Sequence, residues 1–153
     1  MPASSNGPAK NWPVPKMPEA AKEKSEEGIR AFTEHYFETI EYTMNTNDTQ
    51  PIMKLTDRDC TACFDEFIYP FDGNRVAGSW LVGAKFNPVI TRAIVDGNGG
   101  VALFTVTQDE MTAYMSDGTV YGVFPPVKDP NPGTVVLDFK NGWKFISLDV
   151  KAE

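Results

Sequence analysis

The stretch IRAFTEHYFETIEYTM, residues 29–44, decides the fold of this chain. Its large apolar side chains recur every three or four residues, which is the period of an α-helix with one buried face. That face carries Ile29, Phe32, Tyr36 and Ile40, with Phe37 and Met44 beside them. Glutamates occupy the opposite face, so the sequence predicts a long helix that packs on its apolar side.

The helix has recognisable limits. Pro18 suits a first helical position, and Ala20 to Lys24 are strong helix formers, so the helix is predicted to begin at Pro18 or nearer Ser25. The turn-forming residues NTND at positions 45–48 end it. Residues 1–18 contain five prolines and little periodicity. We therefore expect a disordered or extended tether over residues 1–17 and a single domain over residues 18–153.

Downstream of the long helix, the residue pattern changes at Val76 from one typical of helices to one typical of strands. Before it, DRDCTACFDEFI at 57–68 predicts a short helix that Pro70 and FDGN at 71–74 stop. After it, β-branched and aromatic residues alternate with glycine-containing turns, which favours strands. Hairpin turns are predicted at DGNGG (96–100), DG (117–118) and KNG (140–142).

Two segments of the strand region are ambiguous. Residues 101–116 are predicted to form one long strand that bends near Gln108–Glu110, and the proline-rich residues 125–133 are predicted to form a loop. Helices followed by consecutive hairpins predict an α+β domain. In it, the long N-terminal helix and the short helices pack on an antiparallel sheet of five to six strands.

The composition restricts the partners of the chain. Hydrophobic residues make up 41% of the 153 residues, enough to form a core. The formal net charge of −7 disfavours binding to nucleic acids and to anionic lipid headgroups. The sequence contains no apolar run of membrane-spanning length and no signal peptide after Met1. The chain is therefore expected either to be cytosolic or to lack a targeting segment that preceded it.

The two cysteines, Cys60 and Cys63, allow three interpretations. Their spacing places them side by side on a helix, within the distance that a disulfide bridges. A zinc site needs about four ligands, and the chain offers one histidine and scattered carboxylates besides. A thioredoxin-like redox pair follows a strand in a βαβ unit, which the surrounding sequence lacks. The pattern favours a structural disulfide, which persists in an oxidising compartment.

No catalytic set can be assembled from the remaining residues. His35 is the only histidine, and it lies at the boundary of the apolar and acidic faces of the long helix. Asp138 and Asp149 alternate with apolar neighbours as outward-facing strand residues do, and Asp109–Glu110 are interpreted as a bulge. The sequence predicts no catalytic residue, metal or cofactor, and the interpretation leans towards a protein that is not an enzyme.

The order of elements resembles the NTF2-like fold, also called cystatin-like or SnoaL-like. This is a cone in which a curved antiparallel sheet wraps around a long helix. Three segments are more narrowly similar to an uncharacterised family of actinobacterial lipoproteins, a domain of unknown function. These segments are MPEAAKEKSEEGIRAFTEHYFETIEYTMNTND (17–48), DCTAC (59–63) and NGWKFISLDV (141–150). The resemblance implies a mature domain outside the cell, whose signal peptide has been removed and whose tether is lipid-anchored to the cell membrane.

The resemblance implies no activity, so the candidate function is assigned to the pocket that this cone-shaped fold often leaves between helix and sheet. Members of this fold line the pocket mouth from the sheet, which makes Trp80, Tyr114 and Tyr36 the candidate ligand-binding residues. We expect a non-catalytic binding or interaction module of the cell envelope, whose partner is an unknown envelope protein or a small apolar ligand. The alternative is a small-molecule carrier or SnoaL-like enzyme. A homodimer through the open sheet face is a further alternative, and contact with the membrane is expected only through the lipid anchor.

The disulfide interpretation predicts the outcome of a thiol titration. The native protein, purified in air and unfolded without reductant, is expected to show no reactive thiol, because both sulfurs are bonded to each other. After reduction both Cys60 and Cys63 should react. Two reactive thiols before reduction would contradict the interpretation.

Overall fold

The structure is a computed structural model, and it describes residues 1–150. Residues 151–153, the end of the predicted domain 18–153, lie outside the described residues. The helical elements are a 3₁₀ turn (Glu19–Lys22), α1 (Glu26–Thr46), α2 (Gln50–Met53), α3 (Thr61–Cys63), a π-helical turn (Phe64–Ile68) and α4 (Tyr69–Ala77).

Seven strands follow and form two antiparallel sheets. Their bounds are β1 (Trp80–Val82), β2 (Phe86–Asp96), β3 (Gly99–Gln108), β4 (Met111–Tyr114), β5 (Val120–Phe124), β6 (Val127–Phe139) and β7 (Trp143–Val150). One sheet has the order β2-β3-β6-β7 and the other β1-β4-β5. The mixed α+β class is confirmed, whereas the expectation of one sheet with five to six strands differs from the two sheets observed.

Helix α1 has well-defined caps at both ends. The Ser25 hydroxyl accepts a hydrogen bond from the Gly28 amide (3.0 Å), so Ser25 rather than Pro18 is the N-cap. Gly28 lies in the first turn because a Cβ there would collide with the Glu23 carbonyl. At the other end Asn47 takes a left-handed conformation, with φ of 62°, and terminates the helix.

The residues that follow α1 tie the helices together. The carboxylate of Asp48 accepts a hydrogen bond from the Tyr42 hydroxyl (2.7 Å) and caps α2 through the Gln50 amide (3.1 Å). Burial, together with the neighbouring Asp48, raises the pKa of Tyr42 to about 12, so this hydroxyl stays a donor at neutral pH. Thr49 donates to Asp72 of α4 (2.6 Å). The turn therefore fixes the positions of α2 and α4 relative to α1.

Helix α1 packs on the four-stranded sheet through aromatic rings. Phe37 meets Phe104 of β3 edge to face, with ring centroids 5.2 Å apart, and Phe32 meets Phe145 of β7 at 5.8 Å. The alternate residues of β3, β6 and β7 that face the helix are buried. The helix and this face of the sheet therefore form the core.

Two glycines allow the core to close. A Cβ at Gly100 of β3 would collide with the Ile29 side chain of α1, and a Cβ at Gly133 of β6 would collide with the Phe104 ring. The absent side chains let the helix and a large aromatic ring approach the sheet backbone. Because interiors are close-packed, an added methyl group at either position has no room.

Three predictions about the chain path were wrong. Helix α4 continues through Pro70 to Ala77, because Pro70 occupies its first turn, where the missing amide costs nothing. The predicted long strand 101–116 is two strands: β3 and β4 lie in different sheets, separated at Asp109–Glu110. Residues 127–133 of the predicted loop belong to β6. Pro130 lies opposite the register shift between Val106 and Gln108 of β3, and Pro132 precedes Gly133, where the pairing with β7 begins.

The hairpin turns were predicted correctly. The β2–β3 turn contains Gly97 at φ of 60°, and the β6–β7 turn contains Asn141 at 54°.

Residues 1–17 are the expected tether. None of the helices and strands given above lies within them, and they contact the domain at defined points. One such contact is a hydrogen bond from the Ala9 amide to the Asn45 carbonyl at the end of α1 (2.9 Å). Among the described residues, no helix is both long and apolar enough to span a bilayer.

The glycine at position 133 supplies a test of this packing. We expect Gly133→Ala to lower the free energy of unfolding by about 1–3 kcal/mol, because the new methyl group overlaps the Phe104 ring. Urea denaturation followed by circular dichroism measures the change. Gly122→Ala is the matched control, since Gly122 is also in a strand and a Cβ there meets no atom within 4 Å. Equal destabilisation by both variants would contradict the packing.

Candidate functional site

The structure brings two of the three predicted ligand-binding residues together. Trp80 in β1 pairs directly with Tyr114 in β4. Their rings are stacked, with centroids 5.4 Å apart and planes inclined by 10°. The indole nitrogen of Trp80 donates to the Ser4 carbonyl (2.8 Å), so the N-terminal segment covers one side of this stack. The stack belongs to the three-stranded sheet and not to the face that packs on α1.

A cavity of about 410 Å³ opens beside this stack. Its further lining includes Met115, Tyr121 and Phe124, which come from the β4–β5 hairpin. Tyr121 is 72% exposed and Phe124 is 43% exposed. Sequence reasoning missed the β5 residues. The signal that could have found them is the run from Gly118 to Val127, which combines large apolar residues with the absence of any charged residue.

Tyr36, the third predicted residue, lies in the core. It has no exposed surface, and its ring stacks on Phe145 with centroids 3.7 Å apart. Its hydroxyl shares a 2.8 Å hydrogen bond with the Thr56 hydroxyl, which in turn donates to the Ile52 carbonyl. Burial raises the pKa of Tyr36 far above its usual value. A ligand would reach Tyr36 only by displacing Phe145, so its position is that of a structural residue.

A second cavity, of about 240 Å³, lies between α1, the π-helical turn and the ends of β2, β3 and β6. Phe37, Phe67 and Phe86 form most of its apolar wall, and Phe67 and Phe86 meet edge to face with centroids 6.2 Å apart. Gln108 and Asn131 supply amides at the rim. The cavity expected between helix and sheet is therefore lined by these residues rather than by Trp80 and Tyr114.

Neither cavity contains an acid–base pair. Among residues 1–150, the only ionisable residue in the lining of either cavity apart from tyrosines is Glu66, which is exposed to solvent. Asp109 accepts a hydrogen bond from the Asn87 side chain (2.9 Å), and Asp138 is 3.5 Å from the Lys140 ammonium group. Among residues 1–150, no group of three or more His, Cys, Asp and Glu side chains is placed to hold a metal ion.

The cysteine pair is a buried staple. Cys60 and Cys63 lie at disulfide distance, with sulfur atoms 1.96 Å apart and Cα atoms 5.3 Å apart. Both residues have no exposed surface, whereas a catalytic thiol must be reached by its substrate. The pair holds α3 and the π-helical turn, which are too short to be stable alone. The arrangement fits the structural interpretation of the three that the spacing allows.

The fold and these surfaces define a small α+β domain with an internal disulfide and two aromatic cavities. The chain belongs to DUF6318, a family of unknown function, whose match covers residues 1–149. Its fold is similar to that in the crystal structure of the intermembrane space region of the chloroplast protein ARC6, with a TM-score of 0.58 and 9% sequence identity. That match covers 84% of this chain and 98% of the other. None of the curated proteins matches the chain.

His35 supplies a pH-dependent test of the interior. It is buried, and its Nδ1 atom has no hydrogen-bond partner within the described residues. Burial lowers the pKa of His35, an effect that Glu38 opposes. Below about pH 6.5 the unfolded chain therefore binds a proton more readily than the folded one. We expect the free energy of unfolding to fall as the pH is lowered from about 7.5 to about 5.5.

His35→Gln should remove this part of the pH dependence. Urea denaturation at several pH values in that range measures the slope for both proteins. Burial raises the pKa of Glu41, whose effect on stability has the opposite sign, but Glu41 is present in both proteins and does not produce a difference between their slopes. Identical slopes for the two proteins would show that His35 does not contribute.

Proposed function

We propose that this domain is a non-catalytic binding module that takes up an extended, uncharged segment of a partner protein along strand β5. The exposed side chains of β5 support this proposal most directly. Val120, Tyr121, Val123 and Phe124 are all exposed, although they are the large residues of a five-residue strand. Such a concentration of exposed large apolar side chains on one strand is typical of an interaction site.

The backbone of β5 supports the same conclusion. β5 is the outer strand of its sheet, so one row of its amide and carbonyl groups has no partner strand. Proteins usually protect such edges with lysines, prolines or bulges. Here β5 has a register shift opposite Ala113 and Tyr114, and Pro125 and Pro126 follow the strand, but no charged residue lies within it. An added peptide strand would satisfy these backbone groups, and the cavity beside Trp80 and Tyr114 would accept its alternate side chains.

The fold and the location proposed for the domain have separate support. We propose an NTF2-like cone, because α1 packs along one face of a four-stranded antiparallel sheet. We also propose that the domain lies outside the cytoplasm as a lipid-anchored actinobacterial protein, with residues 1–17 as its tether. The disulfide supports that location, since such bonds are rare in the cytosol. Neither proposal is needed for binding along β5.

A small apolar ligand is the second candidate for the bound partner. The cavity between α1 and the sheet supports it, because three phenylalanines line it and two amides stand at its rim. Its volume of about 240 Å³ is below the range of about 300–1,000 Å³ that is common for ligand sites. This favours a carrier of a small molecule. An enzyme acting there would need an acid or base, and Glu66, which lines this cavity, is exposed to solvent.

Selection of random peptides on the immobilised protein tests the proposal. We expect the selected peptides to be uncharged, with apolar side chains at alternate positions, because one face of an added strand would meet the cavity. In amide NMR spectra the peptides should shift the signals of β4 and β5. Signals that shift only around Phe67 and Phe86 would instead favour the ligand cavity.

Val123→Lys should weaken peptide binding at least about tenfold, because it places a charge on the docking edge. Val89→Lys is the matched control, since Val89 is an exposed valine in β2, the edge strand of the other sheet. Equal losses in both variants would contradict binding along β5. Light scattering adds a further test: a doubled mass that Val123→Lys alone reverses would make the occupant a second copy of this chain.

A further inference from the structure

Five of the ten lysines of this acidic chain gather at one end of the domain. A cavity of about 320 Å³ beside the β6–β7 hairpin is lined by Lys22, Lys54, Lys140 and Lys144, and no acidic residue among residues 1–150 lines it. Lys24 adds a fifth ammonium group, 5.9 Å from the centroid of the Phe139 ring. These five lysines form the basic patch. They come from three distant segments of the sequence, so the patch exists only in the folded chain.

The floor of the basic patch is fixed by the fold. Trp143 packs edge to face on Phe139, with centroids 4.9 Å apart, and its indole nitrogen donates to the Glu23 carbonyl (2.7 Å). This hydrogen bond holds the segment that carries Lys22 and Lys24 against the hairpin that carries Lys140 and Lys144. The lysines are therefore brought together by the same contacts that close the core.

Acidic residues neutralise the basic patch only in part. Lys22 is 3.0 Å from Glu19 and Lys140 is 3.5 Å from Asp138, and Glu23 lies between Lys22 and Lys24 in the sequence. Lys54 and Lys144 form no ion pair among residues 1–150. Taking five positive charges from a net charge of −7 leaves −12 on the rest of the chain. Five lysines gathered at one end of so acidic a chain require a functional explanation.

We infer that the basic patch is a docking surface for an anionic phospholipid membrane. All five lysines are exposed at the rim, on long flexible side chains, and form no rigid cage of the kind that holds a small free anion. Such an arrangement suits a broad negative surface. Met17 and Phe139 are partly exposed between the lysines, and a membrane interface accepts apolar side chains beside basic ones.

The overall negative charge does not prevent this docking. At physiological ionic strength the Debye length is about 8 Å, whereas α1 alone, with 21 residues, is about 31 Å long. Carboxylates at the far end of the domain are therefore screened from a membrane that touches the basic patch. The exposed turn at Lys140 and Asn141 lies at the end of β6, where it would meet a planar surface first. This inference holds whether or not the chain carries a lipid anchor or binds a peptide along β5.

Co-sedimentation of the unlipidated chain with vesicles tests the inference. We expect binding to vesicles rich in phosphatidylglycerol at low ionic strength, weaker binding at high ionic strength, and no binding to phosphatidylcholine vesicles. Each lysine near such a surface changes the affinity about fivefold. The triple variant Lys54→Gln, Lys140→Gln, Lys144→Gln should therefore bind about a hundredfold more weakly.

The matched control replaces three exposed lysines outside the basic patch, Lys10, Lys85 and Lys128, with glutamine and produces the same change in net charge. This variant is expected to bind like the unchanged protein. Circular dichroism and thermal unfolding show whether both variants fold. Equal losses in the two variants, or equal binding to both kinds of vesicle, would overturn the inference. So would binding to soluble polyphosphate together with no binding to vesicles, because the partner would then be a linear polyanion.

Discussion

The contact between α1 and the four-stranded sheet is the constraint on which the rest of this structure depends. It is made by aromatic rings, with Tyr36 and Phe32 packed on Phe145 and Phe37 packed on Phe104. The rings fit because Gly100 and Gly133 leave space at the sheet backbone. A helix whose apolar face is this wide cannot remain in water, and burial of that face is the main stabilising contribution. The short helices, the disulfide and the second sheet are arranged around this contact.

The division of the strands into two sheets separates the core from the surfaces available for binding. At Asp109–Glu110 the chain leaves the four-stranded sheet, and β4 pairs instead with β1 and β5. The four-stranded sheet buries one face against α1, whereas β5 buries little of either face. The exposed aromatic residues of β5 are therefore not required by the core. This separation is why a binding role fits the three-stranded sheet better than a structural role alone.

Charge is distributed as unevenly as apolar surface. The chain has a net charge of −7, yet in the described part of the chain the lining of the cavity at the β6–β7 hairpin contains four lysines and no acidic residue. Net charge describes how a protein behaves at distances well beyond the Debye length, and a local cluster acts within that length. The expectation from composition that anionic surfaces are avoided concerns the net charge of the whole chain, whereas the proposed docking concerns the local charge at this end of it.

The sequence by itself determined the elements whose signals are local. The spacing of Ile29, Phe32, Tyr36 and Ile40 defined α1, the turns at Gly97 and Asn141 defined two hairpins, and three-residue spacing placed Cys60 next to Cys63. Each of these follows from backbone geometry over a few residues. The inclusion of Pro70 in a helix and of Pro130 in a strand was not predicted, because tertiary packing overrides weak local preferences.

Only the tertiary structure decided which residues meet. Trp80 and Tyr114 were predicted to share a site and do stack, but Tyr36 faces the core, because the whole apolar face of α1 is needed to cover the sheet. Three further features also have no local signal. They are the move of the chain to the second sheet after β3, the exposure of β5, and the gathering of lysines from three segments. They depend on contacts between residues far apart in the chain, whose formation is decided by the packing of the complete domain.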